Sequence, residues 1–133
     1  MAPWLSVIIT AFREPRTVGQ AIEAFLAQLP EEAEVLVVCP DPQTISVVDE
    51  YAEQYPAVRQ VADPQRGKPT AVNKGLEAAS GDIVVLSDGD VTVAEDALAP
   101  LLAPFEDPTI GAVSGHPISL NPRGTLLGYW SHL

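Results

Sequence analysis

A single cysteine, Cys39, among 133 residues excludes an internal disulfide and a cysteine-based zinc cluster. At the end of an apolar run it reads as a small core residue. Basic residues are scarce as well: 7 Lys and Arg stand against 18 Asp and Glu, a formal charge of −11. That balance argues against a nucleic-acid surface, because neutralising phosphates takes clustered cations. No apolar run approaches the roughly 18–20 residues of a membrane span. The first residues show no basic patch, long apolar region or small-residue cleavage site of a signal peptide, so a cytoplasmic location is expected. Absent too are Gly-x-Gly-x-x-Gly after the first apolar run, Gly-x-x-x-x-Gly-Lys-Ser/Thr and Gly-x-Ser-x-Gly. Their absence weighs against dinucleotide reductases, phosphate-loop ATPases and α/β-hydrolases.

What is present is an ordinary globular composition, 47% hydrophobic and 19% charged, long enough for one domain with a real core. Trp4 to Thr10 is an apolar, β-branched run that stops at Ala11-Phe12-Arg13-Glu14-Pro15. Helical spacing follows at Val18, Ala21, Ile22, Phe25, Leu26 and Leu29, with Pro15 suited to the first turn and Pro30 to the end. The unit recurs: strand at Ala33 to Cys39, turn at Pro40-Asp41-Pro42, helix marked by Ile45, Val48 and Tyr51. A short strand near Val58 to Ala62 leads through a Gly- and Pro-bearing loop to a helix carrying Ala71, Val72, Leu76 and Ala79, closed by Gly81. A further helix is expected from about Ala94 to Phe105, with Glu95 and Asp96 in its first turn, and a strand near Ile110 to Ser114. Alternating strands and helices predict an α/β fold: a doubly wound, mostly parallel sheet with helices on both faces.

Chemistry concentrates at Gly81 to Val91. Ile83 to Leu86, apolar on both faces, reads as a strand buried in a parallel sheet that empties into Asp88-Gly89-Asp90. Ligand sites in such sheets lie beyond the carboxyl ends of strands. The glycine between two carboxylates is expected to let the backbone turn so that both approach one hard cation, Mg2+ or Mn2+, which keeps several waters and takes the rest of its shell from a pyrophosphate. Arg66, Lys68 and the helix start beyond them form an anion seat on an otherwise acidic chain, with Asn73 either holding that loop or standing on an exposed helix face. The loop after the first strand should lie beside the mouth of the Asp88 strand. There Phe12 either flanks a flat base or joins the core, and Glu14 either accepts from a sugar hydroxyl or serves as a helix-start acid. His116 and His132 have no metal-ligating neighbours at suitable spacing and are read as exposed or packing residues.

Taken together, Ser6 to Glu14, Arg66-Gly67-Lys68-Pro69-Thr70-Ala71-Val72-Asn73-Lys74-Gly75-Leu76, Ala79 to Asp82 and Asp88-Gly89-Asp90 resemble the family 2 glycosyltransferases of the GT-A fold, a Rossmann-like architecture. Gly111 to Gly115 resembles the strand that follows the metal motif in that family. The resemblance implies a nucleotide-diphosphate sugar bound across the carboxyl edge of the sheet. Asp90 would be the metal ligand, Asp88 would touch ribose, sugar or a metal-bound water, Thr10, Phe12 and Glu14 would hold the nucleoside, and Lys68 would line the donor pocket. Where the family often places an Asp pair after its second strand to contact the base, this chain has only Asp41. Residues 1–115 would form the nucleotide-sugar-binding domain and residues 116–133 the start of the acceptor-side region.

The family's catalytic base lies beyond the point matched by Leu133, and the apolar Leu126-Leu127-Gly128-Tyr129-Trp130 end is expected to pack on something further. The chain therefore reads as the amino-terminal, donor-binding part of a longer protein. Its acceptor, whether lipid, polysaccharide or protein glycan, would be met there, as would any association with the cytoplasmic face of a membrane. Two other readings share these residues. A sugar-phosphate nucleotidyltransferase would also place a metal on aspartates, but it usually opens with a glycine-rich loop that Ala11 to Pro15 lacks. A noncatalytic nucleotide-binding or assembly module would use the sheet edge for a partner.

Overall fold

The β-branched runs Leu5–Thr10 (β1), Ala33–Cys39 (β2), Val58–Ala62 (β3) and Ile83–Asp88 (β4) pair in parallel in the order β3-β2-β1-β4. They belong to a computed structural model that describes residues 4–131. β1 is central, pairing Leu5 with Ala33 and Ile83 at its start and Thr10 with Val38 and Asp88 at its end. Helices α1 (Val18–Leu26), α2 (Pro42–Gln54) and α3 (Lys68–Ala78) make the crossovers. The chain steps from β1 to β2 to β3 in one direction and then returns past β1 to β4. Right-handed crossovers therefore put α1 and α2 on one face and α3 on the other, as a doubly wound sheet requires.

Each face has its own packing. Ile8, Leu36 and Val38 meet Ala71 of α3, and Gly75 lets that helix approach so closely that a Cβ there would collide with Ile8. The alternate residues Val7, Ile9, Val35 and Val37, all fully buried, belong to the opposite face by the two-residue period of a strand. α1 and α2 pack there, burying Val18, Ala21, Ile22 and Phe25 from one and Thr44 and Val48 from the other.

At the amino-terminal end of the sheet a polar knot ties three strands to the end of α3. The fully buried Ser6 donates through Oγ to Glu34 Oε1 (2.7 Å) and accepts from the Gly81 N–H (2.8 Å). Glu34 also accepts from the Ser80 N–H (2.8 Å) and pairs with Arg59 (3.2 Å). Gly81 is there because nothing larger fits: a Cβ would lie 2.6 Å from Ser6 N and 2.7 Å from Leu5 C. Its role is close approach to β1, three residues after α3 has ended at Ala78.

Several sequence expectations change. β4 is not buried on both faces: Leu86 is 57% exposed and Val85 is the one residue of the strand that is buried, because β4 is the edge of the described sheet. The helix expected from Ala94 forms only at Leu98–Leu102 (α4) and runs into a 3-10 turn at Ala103–Glu106. Pro100 explains this, since its ring would clash with the carbonyl four residues back in any helix begun earlier. Glu95 and Asp96 accordingly precede the helix. Gln28 holds its start instead, accepting from the Leu98 N–H (2.8 Å) and donating to the Ala94 carbonyl (2.9 Å). α1 ends at Leu26, short of Pro30, and Pro15 sits in the turn before it. No strand forms at Ile110 to Ser114, where glycine-flanked, largely exposed residues pair with no neighbour among those described.

The chain divides between Leu98 and Ala99 into two compact units. In the second, a short helix α5 (Leu126–Trp130) exposes Leu126, Leu127 and Trp130, and His116 is exposed. His132 and Leu133 lie outside the described residues. No helix among the described residues is long and apolar enough to cross a membrane.

The amino-terminal knot makes two predictions. Gly81→Ala should cost about 1–3 kcal/mol by overpacking against backbone, whereas Gly111→Ala, with nothing within 4 Å of its Cβ, should be close to neutral. Equal denaturation midpoints for the two would contradict this packing. Burial by itself raises the Glu34 carboxyl, but the bonds from Ser6, Ser80 and Arg59 outweigh it and the net position is below the usual 4.5. A depressed folded value stabilises the protein above the unfolded value and is lost as pH falls through the folded one. Glu34→Gln should therefore cost about 1–3 kcal/mol near pH 7. Its difference from wild type should shrink below about pH 4.5 in urea titrations.

Candidate functional site

The carboxyl ends of β1 and β4 are adjacent, and the winding reverses between them, so the loops that follow diverge and leave a concavity of about 220 Å3. Thr10, Phe12, Glu14, Lys68, Asp88 and Asp90 all line it, with Ala11 and Asp63. Six of the residues singled out from the sequence thus converge, although they come from three separate loops. Asp41 and Asn73 do not line it: Asp41 begins α2, and Asn73 is exposed on α3.

Strand register sets the floor. Thr10 and Asp88 are direct partners across β1 and β4, and Thr10 Oγ1 donates to Asp88 Oδ1 (3.1 Å). The Gly89 N–H continues the ladder to the Thr10 carbonyl (2.9 Å), and the Val91 N–H closes a turn onto the Asp88 carbonyl (3.1 Å) that presents Asp90 to solvent. Lys68, the first residue of α3, reaches across to Asp88 Oδ1 as an ion pair.

Gly89 works differently from the sequence expectation. It does not take a positive φ and so is not there to bend the chain. It is buried, and a Cβ would collide with Glu14 Oε2 and lie 2.6 Å from Ala11 Cβ. The missing side chain makes room for the Glu14 carboxylate beside the two aspartates. Glu14 Oε2 is buried without a hydrogen-bond partner. Burial pushes that carboxyl above its usual range, and the charges of Asp90 and Asp88 add to it, while the Phe12 backbone N–H and Lys68 act in the opposite sense.

The electrostatic content of the site follows. Four carboxylates, Glu14, Asp63, Asp88 and Asp90, line the concavity with one ammonium, so with all groups ionised the local charge is negative by about three, which a divalent cation offsets in large part. The donors are hard oxygens, the type Mg2+ and Mn2+ select. Among the described residues no three metal-ligating side chains stand close enough to cage an ion by themselves. A cation here would take part of its shell from water and from a ligand, as Mg2+ ordinarily does beside phosphates.

The walls are held by Asp41 together with residues not singled out from the sequence. Arg13 and Gln65 take positive φ values of 57°, one in each flanking loop, and an aspartate catches each N–H. Arg13 N–H donates to Asp41 Oδ1 (2.8 Å), and Gln65 N–H donates to Asp63 Oδ1 (2.9 Å). The other Asp41 oxygen caps α2, accepting from Thr44 N–H (3.1 Å) and Thr44 Oγ1 (2.7 Å). Thr44, fully buried, in turn accepts from the Glu14 N–H (3.0 Å). Aspartate followed by Pro42 and, three residues on, by threonine is a helix-start pattern that would have identified Thr44. Phe12 is 54% exposed with the Arg13 guanidinium 5.0 Å from its ring centre, so of its two expected roles the core one is excluded.

Comparisons with known proteins place the chain in a family. The model of the family described as "Glycosyl transferase family 2" matches residues 6–127. The poly-beta-1,6-N-acetyl-D-glucosamine synthase of Staphylococcus aureus is 27% identical over 127 residues, covering 93% of this chain and 31% of the relative. The enzyme of the same name from Staphylococcus epidermidis is 25% identical over the same length. Among solved structures, the mannosyltransferase PcManGT from Pyrobaculum calidifontis, in complex with GDP-Man and Mn2+, superposes with a TM-score of 0.75 at 32% identity, over 84% of this chain and 34% of that one. TarS of S. aureus, at 21% identity and a TM-score of 0.67, shares the fold. The chain spans about a third of the length of the relatives it matches. With the family model covering nearly its whole length, this chain belongs to glycosyl transferase family 2.

Proposed function

We propose that the concavity binds a nucleoside-diphosphate sugar together with Mg2+ or Mn2+, and that the chain supplies the donor side of glycosyl transfer. The observation that carries this reading is the convergence of Asp88, Asp90 and Glu14 with Lys68 at the β1–β4 mouth. An acidic protein cannot take a diphosphate there without a counter-charge, and this group of side chains offers both a cation site and an ammonium. The mannosyltransferase solved with GDP-Man and Mn2+, 32% identical to this chain, supports the same assignment.

In this reading Asp90, exposed on its turn, and Asp88, at the strand end, hold the cation. When bound, that cation offsets the negative charge growing on the departing diphosphate. Lys68 exchanges its pairing with Asp88 for a phosphate oxygen, and Thr10 keeps Asp88 oriented through its hydroxyl. Phe12 offers a ring against which the nucleoside can lie, and Asp41 supports the loop after β1 from outside the concavity. The acceptor, whether polysaccharide, lipid or protein glycan, would approach from the side of the sugar, at the cytoplasmic face if a membrane is involved. The relatives named for a polysaccharide synthase favour the polysaccharide.

Thermal unfolding with a panel of UDP-, GDP- and ADP-sugars, each with and without Mn2+, tests the reading. The donor should raise the midpoint only when metal is present. Asp90→Ala, a change at an exposed position, should leave the ligand-free midpoint in place and weaken metal-dependent donor affinity about tenfold or more. Unchanged affinity in that variant, or stronger stabilisation by nucleoside triphosphates than by any diphosphate sugar, would defeat the proposal.

A further inference from the structure

The concavity has a fourth acidic lining residue away from the β1–β4 pair: Asp63, immediately after β3, whereas Asp90 lies beyond β4. Three strand intervals separate β3 from β4, about 14 Å at the usual spacing. If the diphosphate sits at Asp88 and Asp90, as proposed above, a nucleoside extending along the sheet edge past Phe12 brings its base to Asp63.

The chemistry of that end is narrow. Asp63 is half-buried, and none of the ion pairs among the described residues includes it. The register sets Ala62 opposite Cys39, so Asp63 stands level with the end of β2 and shares with Asp41 an electrostatic influence on the Cys39 thiol. A phosphate would be repelled, and a hydrogen-bond donor would be welcome. One carboxylate oxygen, Oδ1, is committed to the Gln65 N–H (2.9 Å), which fixes the side chain and leaves Oδ2 to face a ligand. Asp41 is less suited, with both oxygens engaged by Arg13 and Thr44 and its place outside the lining.

We infer that Asp63 reads the nucleobase of the donor and selects guanine. Among the common bases only guanine presents two adjacent donors, N1–H and the 2-amino group, to a carboxylate. Uracil offers one N–H between two carbonyl oxygens that the carboxylate repels. Adenine and cytosine place an acceptor nitrogen next to their amino group. A paired donor edge on a fixed carboxylate discriminates by roughly tenfold or more, the scale of a good bidentate side-chain contact to a base.

The test measures Mn2+-supported binding of GDP, IDP, UDP and ADP by calorimetry to wild type and Asp63→Asn. The asparagine can still accept from Gln65 N–H, so the loop is preserved, while its amide replaces Oδ2 with a donor that opposes guanine. Wild type should bind GDP about tenfold or more tighter than UDP, with IDP, which lacks the 2-amino group, in between. Asp63→Asn should bring GDP down to the level of UDP and leave UDP unchanged. Equal binding of GDP and UDP by wild type, or an equal loss for every nucleotide in the variant, would overturn base reading by Asp63 while leaving the donor-site proposal standing. Failure of all nucleotides to bind wild type would overturn both.

Discussion

Everything at the candidate site depends on β1 lying between β2 and β4 with its last residue level with Asp88. That pairing is a backbone fact, set by parallel ladders on both sides of β1. It brings the loops after β1 and β4 to one edge of the sheet at the point where the crossovers change face. A shift of one residue would turn Asp88 to the opposite face, away from Thr10 and Lys68. The buried knot of Ser6, Glu34 and Gly81 at the other end of the same strands opposes such a slip, because it fixes β1, β2 and the approach to β4 at their starting residues. Packing at one end of the sheet thereby governs chemistry at the other.

Much of this was legible in the residues. The strands at Ala33–Cys39 and Val58–Ala62 have the expected bounds because each is a β-branched run stopped by turn-forming residues. The doubly wound topology followed from the alternation of such runs with helical spacing. The meeting of Thr10, Phe12, Glu14, Lys68 and Asp88 is a consequence of that topology, since each ends or follows a strand at the same edge. Beyond residue 90 the reading failed where local pattern competed with proline and with pairing. Pro100 forbids the longer helix that the apolar spacing suggests, and an apolar run near Ile110 is no strand without a neighbour.

Inside the site, the residues that escaped the sequence are those whose role is geometric. Asp63 belongs to no short motif, and its place in the lining comes from β3 ending level with β2. Thr44 supports the Glu14 loop from a different helix. Gly89 looked like a hinge because glycine between two aspartates commonly is one, but it is a space left for a carboxylate. Composition carries information about backbone conformation more readily than about which atom will be the neighbour.

Cys39 shows what the core does to an ordinary reactive group. It is fully buried at the end of β2, and burial, tempered by Gln60 and reinforced by Asp41, Asp49 and Asp63, pushes its thiol up to about 11. At neutral pH almost none of it is thiolate, the form that attacks electrophiles. In the folded chain Cys39, buried and protonated, should therefore react only slowly with maleimides and iodoacetamides. A second cysteine placed on an outer surface would accept a fluorophore or spin label alone, so movement of the loops around the sheet edge can be followed spectroscopically without first removing the native thiol.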